Sequence, residues 1–288
     1  MRQPSGPFRR LSVEDFRLLR DVIYEHAGLV YDESAMMLFD RRLGERLEAL
    51  GLPSYQAYYK YLRFDARNQQ EMEEAVERLT TKETYFFRQE YQLRAFQSEL
   101  LPRLEQANQR SKRLLVWSAG CSTGEEAYTL AALILESERF NGWDVRVIGS
   151  DLSKQCVAHA RRAVYQAGSL RATSARDKAR YFQELGDGFH VEESVKKLCQ
   201  FGQMNLFDAG RGNLVGRVDA IFCRNVLIYF DVRSRKRVID HLYQRLTPGG
   251  YLMLGHSESL LNLSTAFELV HLRDDLVYRK PLGAGGGY

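Results

Sequence analysis

The chain has 288 residues, of which 44% are hydrophobic and 27% charged, the profile of an ordinary globular protein with room for one large or two unequal domains. Its net charge of +4, from 41 basic and 37 acidic residues spread along the chain, offers no basic tract for nucleic acid. No apolar run reaches the ~18 residues a membrane span needs, and the opening MRQPSGPFRR lacks the apolar region of a secretory signal.

Residues 11–110 carry helical patterning. Phe16, Leu19, Ile23 and Ala27 mark one apolar stripe. Phe39, Leu43, Leu47 and Leu50 mark a second, closed by Gly51 and Pro53. Tyr55, Tyr58, Tyr59 and Leu62 predict a short third helix; Met72, Ala75, Val76 and Leu79 predict a fourth. Leu93, Phe96, Leu100 and Leu104 predict a fifth. An all-helical domain over residues 1–90 is therefore expected before an α/β domain over residues 91–288.

From Leu114 the pattern alternates. Strands are expected at 114–118, 145–150, 218–223 and 251–255, the last opened by a Pro248-Gly249-Gly250 turn, with two more near 266–271 and 276–280. Helices are expected at about 123–138, 153–164 and 232–246. Such alternation predicts a mostly parallel sheet covered by helices. Residues 165–205 interrupt it. Alternating apolar positions at Phe189–Val191, Val195–Leu198 and Cys199–Met204 predict a short helix and a small antiparallel insert. The tail GAGGGY reads as unstructured.

Three stretches can carry chemistry. The first is LLVWSAGCSTGEEAY, Leu114 to Tyr128: a buried strand, a turn at Gly120, and a helix capped by Ser122 or Thr123 with Glu125 and Glu126 in its first turn. A strand, glycine turn and helix N-terminus build nucleotide pockets in α/β folds. Asp151 closes the next strand, where an acid can accept hydrogen bonds from ribose hydroxyls. An adenosine-type ligand is expected. Glu125 would repel a pyrophosphate but suit a sulfonium with its amino group, which favours S-adenosylmethionine (SAM) over NAD. The second stretch is TTKETYFFR, Thr80 to Arg88, at the end of the fourth helix. The third, FCRNVLIYF from Phe222 to Phe230, runs off a core strand and sets Arg224, Asn225 and Tyr229 within an apolar run, where buried polar groups need partners. Cys121, Cys156, Cys199 and Cys223 are isolated, without a CxxC pair. They fit a reducing compartment and no zinc or disulfide framework, so a cytoplasmic protein is expected.

In this order, with SDLS (Ser150–Ser153) and GHSES (Gly255–Ser259), these stretches resemble the bacterial chemotaxis receptor methyltransferases, the CheR family, over nearly the whole chain. The resemblance implies a Rossmann-like class I SAM-dependent methyltransferase sheet with an N-terminal all-helical domain and a small antiparallel β insert. It implies methylation of glutamate carboxylates on cytoplasmic chemoreceptor helices, with S-adenosylhomocysteine as product. Its cofactor contacts fall on Lys82, Thr84, Arg88, Gly120, Glu125, Asp151, Asn205, Leu206, Arg224 and Asn225, with Arg88 and Tyr229 near the transferred methyl. Relatives commonly have Asn where Lys82 stands, and often Pro at Ala127. Receptor contacts would fall on Arg41, Arg42 and Arg46, a row interrupted by Glu45 and Glu48. The arginine that relatives use to bind a receptor's C-terminal pentapeptide is missing from FQELGDG (Phe182–Gly188), so tethered binding is not expected, nor is nucleic acid or membrane insertion. Two other readings fit the same motifs: a methyltransferase of this fold for another acceptor, or a SAM-binding adaptor. His256 is read as structural.

Overall fold

The computed structural model of the chain describes residues 10–65, 68–208 and 215–283. Most of the tail read as unstructured, and most of the N-terminal decapeptide, lie outside the described residues. The chain divides into two compact units between Thr81 and Lys82.

The first unit is helical. Helices α1 (Val13–Ala27), α2 (Met36–Leu50), α3 (Tyr55–Phe64) and α4 (Asn68–Leu79) follow the four apolar stripes. Ser12 caps α1 by accepting from the Asp15 N–H at 3.0 Å, and Ser54 caps α3 likewise through Ala57 at 3.1 Å. Gly28 and Gly51 end α1 and α2 in the left-handed conformation. The core is closed by Phe16 and Phe39, packed edge to face at 5.0 Å. At its margin Glu71 is buried. Its carboxylate accepts from the Tyr58 hydroxyl at 2.7 Å and from Arg46 Nε and Nη2 at 2.9 and 2.5 Å.

The second unit opens with α5 (Glu90–Ala95), which passes through one π-helical turn, Phe96–Leu100, into α6 (Leu101–Ala107). The stripe predicts one uninterrupted helix. Pro102 explains the wider turn, since its ring excludes the carbonyl that an α-helix would place four residues back.

The main sheet then forms. Its strands are β1 (Arg113–Ala119), β2 (Asp144–Asp151), β6 (Cys199–Gln203), β7 (Val218–Cys223), β8 (Leu246–Leu254), β9 (Glu268–His271) and β10 (Leu276–Arg279), in the order β6-β2-β1-β7-β8-β10-β9. The first five run parallel and β10 is antiparallel to both neighbours. The α/β expectation holds. Helices α7 (Glu125–Glu136), α8 (Lys154–Arg162) and α11 (Val232–Arg245) connect the parallel strands. The chain leaves β1 toward β2 and returns to its other side as β7, so the topological switch point lies between β1 and β7.

The insert is smaller than the sequence predicts. Strands β3 (Val164–Tyr165), β4 (Phe182–Leu185) and β5 (Gly188–Val191) make a three-stranded antiparallel sheet in the order β3-β5-β4, with helix α9 (Ala175–Tyr181) between β3 and β4. Val195 lies in a short helix, α10 (Glu193–Lys196), and 199–203 joins the main sheet beside β2. Period-two alternation shows which residues share a face but not which strand will pair with them. The choice here rests on Gly149, opposite Phe201; a Cβ on that glycine would lie 2.5 Å from the Phe201 ring. Likewise Pro248-Gly249-Gly250 does not precede β8. Leu246 already pairs with Val218, and the triplet bulges before Tyr251 pairs with Ala220, with Gly249 at φ 80°.

The Glu71 cluster generates a test. Glu71→Ala would leave Arg46 and Tyr58 without their shared acceptor and should destabilise the helical unit by about 3 kcal/mol. Denaturant unfolding of the full chain, followed by far-UV dichroism, measures it.

Candidate functional site

The sheet registers collect the three motifs at one edge. Ala119 pairs with Ser150, Ser118 with Phe222, and Cys223 with Leu254. Continued by one residue, or by two between β1 and β7, these pairings put Gly120, Arg224 and Gly255 level with Asp151, the last residue of β2. This is the carboxyl edge of the parallel strands, where open α/β sheets bind ligands.

The turn after β1 is drawn tight by Ser150, whose carbonyl accepts from the Gly120 and Cys121 N–H groups at 2.8 and 2.9 Å. Gly120 has φ 81°, and a Cβ there would lie 2.5 Å from Val226 Cγ2, so only glycine fits. The Asp151 carboxylate accepts from Ser122 N at 2.8 Å and from Ser153 N at 2.9 Å. The expected cap is not formed by Ser122 or Thr123. Ser122 is itself left-handed, at φ 50°, and its hydroxyl donates to the Lys82 carbonyl at 3.2 Å. Thr123 donates instead to Glu125 Oε2 at 2.6 Å, and the N-cap position of α7 falls on Gly124, with φ 97° and no side-chain cap.

Glu125 is almost fully buried, and its Oε1 accepts from the Ser169 hydroxyl at 3.0 Å. Burial pushes its carboxyl above the ordinary glutamate range, opposed by the Thr123 and Ser169 hydrogen bonds. Glu126, the next residue, accepts from the Ser118 hydroxyl at 2.7 Å and from Arg224 Nη1 at 3.2 Å.

Arg224 is the most connected side chain of the site, and its side chain is only 3% exposed. Its Nε donates to Gln92 at 2.8 Å, and Nη2 donates to the Arg88 carbonyl at 2.5 Å and to Gln89 Oε1 at 2.7 Å. With Nη1 on Glu126, nearly every guanidinium N–H is held by protein. Gln89, having used its oxygen, donates its Nε2 to His256 Nδ1 at 2.7 Å, which places the imidazole proton on Nε2. Gln92 Nε2 donates to the Leu254 carbonyl at 2.8 Å.

The linker is part core and part site. Phe86 is buried against Tyr165 and Phe182, at 4.8 and 4.7 Å. Arg171 stacks on Tyr85 at 3.8 Å, with Arg88 farther from the same ring at 5.7 Å. Arg88 Nη1 donates to the Glu83 carbonyl at 3.1 Å. Lys82 and Thr84 are half-buried in the extended stretch before Phe86.

Beyond β7, the Glu258 carboxylate gathers four backbone N–H groups, from Gly255, Asn225, Val226 and Ile228, at 2.7, 2.8, 2.9 and 3.3 Å. Asn225 is held at φ 59°, and its Oδ1 is buried with no hydrogen-bond partner among the described residues. A buried carbonyl oxygen of this kind costs free energy unless something donates to it. Tyr229 closes a short 3-10 turn, partly exposed. On the opposite side Met204 N donates to the Asp151 carbonyl at 2.8 Å, followed by Asn205, whose Oδ1 accepts from Phe207 N at 3.0 Å, and by buried Leu206.

The edge thus brings together Gly120, Glu125, Asp151, Arg224 and Asn225, with the linker residues Lys82 and Arg88 tied to them through their carbonyls. Gln89, Gln92 and Glu258 are the residues that motif reasoning did not single out. Glutamine in an amphipathic helix carries no signal of its own. Glu258 does lie inside GHSES, but only the fold shows its carboxylate facing four N–H groups.

The chain matches two family models. Residues 14–80 match "CheR methyltransferase, all-alpha domain" and residues 82–275 match "CheR methyltransferase, SAM binding domain". It is 33% identical to chemotaxis protein methyltransferase 2 of Vibrio cholerae, over 93% of this chain and 93% of that protein. It is 32% identical to chemotaxis protein methyltransferase 1 of Pseudomonas aeruginosa, over 92% and 97%, and 32% identical to the chemotaxis protein methyltransferase of Salmonella typhimurium, over 91% and 90%.

Burial of Glu125 sets up a pH-dependent stability test. A carboxyl whose pKa is raised by folding contributes most when protonated, below its unfolded value near 4.3, and this contribution is lost as pH rises through the folded value. Glu125→Gln removes that penalty. It should raise the denaturation midpoint at pH 7, and the gain should shrink toward zero below about pH 4.

Proposed function

Because the chain belongs to the CheR methyltransferase family, we propose that it transfers the methyl group of SAM to glutamate side chains on chemoreceptor helices, forming glutamyl methyl esters. It is a SAM-dependent methyltransferase. The observation that carries the acceptor assignment is the tandem match of both CheR models across nearly the whole chain.

The residues at the carboxyl edge fit the cofactor. Bound there, SAM supplies an electrophilic methyl group on a sulfonium and leaves as S-adenosylhomocysteine. The unpartnered Asn225 Oδ1 is an acceptor aimed at a ligand N–H or O–H. Asp151 accepts from Ser122 and Ser153 N–H, which fixes its rotamer at the end of β2, the place from which a carboxylate meets ribose hydroxyls. Glu125 supplies negative charge for the ligand's amino group and sulfonium. Gly120 lets the backbone approach closely, and Lys82, Thr84, Asn205 and Leu206 complete the walls. Arg224 acts through Gln89, Gln92 and Glu126, which it holds in place.

The acceptor needs little help. A glutamate with pKa near 4.3 is already ionised at neutral pH, so its oxygen can attack without a general base, and alignment supplies most of the rate enhancement. We assign that alignment to Arg88 and Tyr229. His256 fits a structural role, since its Nδ1 is engaged by Gln89.

For the receptor, the arginine row divides. Arg46 is committed to buried Glu71 and Arg42 donates to the Arg78 carbonyl at 2.7 Å, whereas Arg41 is exposed. Receptor contact from this helix therefore rests on Arg41 and the remaining donors of Arg42. The β4–β5 hairpin turns at Gly186-Asp187, and Asp187 is paired with His190 at 2.7 Å, an acidic tip that would not attract a peptide carboxylate; recognition should not depend on a pentapeptide. No helix among the described residues is long and apolar enough to cross a membrane, and we place the protein in the cytoplasm at receptor arrays.

Radiolabelled SAM should deliver alkali-labile label to receptor cytoplasmic fragments, equally with and without a C-terminal pentapeptide. Binding of SAM without transfer to any fragment would overturn the acceptor assignment. Asp151→Ala should weaken SAM binding by about 1.5–3 kcal/mol in calorimetry, the scale of hydrogen bonds to a charged group; unchanged affinity in a folded variant would remove Asp151 from the site. Arg88→Ala should lower kcat at least about tenfold while SAM affinity and denaturation midpoint change far less; equal loss of folding and turnover would make Arg88 structural.

A further inference from the structure

The first two turns of α11 carry a basic face, part of which the fold does not use. Arg233, Lys236 and Arg237 are exposed and spaced i, i+3, i+4, so they share one face. The helix is capped by Asp231, which accepts from Ser234 N at 2.7 Å, but has no acid in its first turn itself, where acids favour the macrodipole and cations oppose it. Several other surface arginines are paired: Arg17 with Glu33, Arg78 with Glu45 and Glu74, Arg139 with Glu105, Arg279 with Glu268. Among the described residues Arg233 and Lys236 have no ion pair or hydrogen bond, and Asp240, one turn on, pairs with neither.

The position of this face is set by two contacts. Arg235 Nε donates to the Leu227 carbonyl at 2.9 Å, binding the helix to the loop that carries Asn225 and Tyr229. Arg237 stacks on the Phe207 ring at 4.3 Å, next to Asn205 and Leu206. The basic turns therefore begin at the carboxyl edge of the sheet, on the rim of the site. Beside them Ile228, Tyr229 and Val232 are 45%, 37% and 58% exposed, an apolar strip directly before the cations.

We propose that this rim, with Ile228 and Val232 as its apolar part and Arg233 and Lys236 as its charged part, docks the acidic helix that presents the acceptor glutamate. The inference rests on the glutamate-acceptor reading and adds a specificity surface on the catalytic unit itself. Its charge is complementary to a helix rich in carboxylates, and its two turns, about 11 Å of helix rise, match two turns of a partner helix. Arg237 is left to hold Phe207, and the two unpaired cations meet the partner.

The test uses the full chain carrying Arg233→Glu/Lys236→Glu. Its KM for a receptor cytoplasmic fragment should rise about tenfold and the salt dependence of kcat/KM should flatten. The kcat, the calorimetric SAM affinity and the denaturation midpoint should not fall, since acids suit the first turns of a helix. Arg233→Gln/Lys236→Gln should show a smaller rise. Wild-type KM in the reversed variant would overturn the proposal, as would an unchanged KM with lost binding to phosphatidylglycerol vesicles, which would make the patch a membrane contact. Should the wild type label no fragment, the acceptor reading fails separately. The rim is then judged by fluorescence anisotropy of a labelled, glutamate-rich receptor-helix peptide. Binding that the reversal abolishes supports docking; no wild-type binding, or undiminished binding by the variant, overturns it.

Discussion

The buried guanidinium of Arg224 ties together three segments that are far apart in sequence. It holds the Arg88 carbonyl, Gln89 and Gln92 at the start of α5, Glu126 in the first turn of α7, and its own loop after β7. Burial lowers its pKa and raises that of Glu126; in each, desolvation outweighs the attraction between them. The pair is thus poor evidence for added stability. Its contribution is geometric, because a planar fork with donors in fixed directions can orient several acceptors at once and a lysine cannot.

Carboxylates do the corresponding work on the backbone. Asp151 holds the turn after β1, Glu258 holds the loop after β7, and Glu125 fixes Thr123 and Ser169. These anchors let the chain keep conformations that L residues adopt reluctantly: Ser122, held by Asp151, and Asn225, held by Glu258, both have positive φ. The helical unit uses the same device, with buried Glu71 gathering Arg46 and Tyr58. This is why an arginine that reads as surface in a linear row turns out to be half-buried and committed to an interior carboxylate.

The strand β6 and the rim of α11 show a different kind of dependence. Cys199–Gln203 could pair within the insert or beside β2, and the space left by Gly149 for Phe201 decides it. The charges of α11 lie at the site because Arg235 and Arg237 attach the helix to the two loops that frame it.

Much of this was legible in the residues alone. Apolar stripes such as Phe16, Leu19 and Ile23 placed the helices, and buried runs such as Val218–Cys223 placed the parallel strands, because burial acts on each segment with its own period. Gly120, Asp151 and Arg224 could be picked out since a tight turn, a strand-end acid and a polar group in an apolar run each have a local physical reason. What could not be read was partnership. The cap that falls on Gly124 and not on Ser122 or Thr123, the N–H groups of Asn225, Val226 and Ile228 on Glu258, the glutamines around Arg224 and the edge position of β6 depend on groups dozens of residues apart. Sequence periodicity sets which face a side chain takes; only the closed tertiary structure decides what it meets there, because that choice is made by space and hydrogen-bond satisfaction among distant segments.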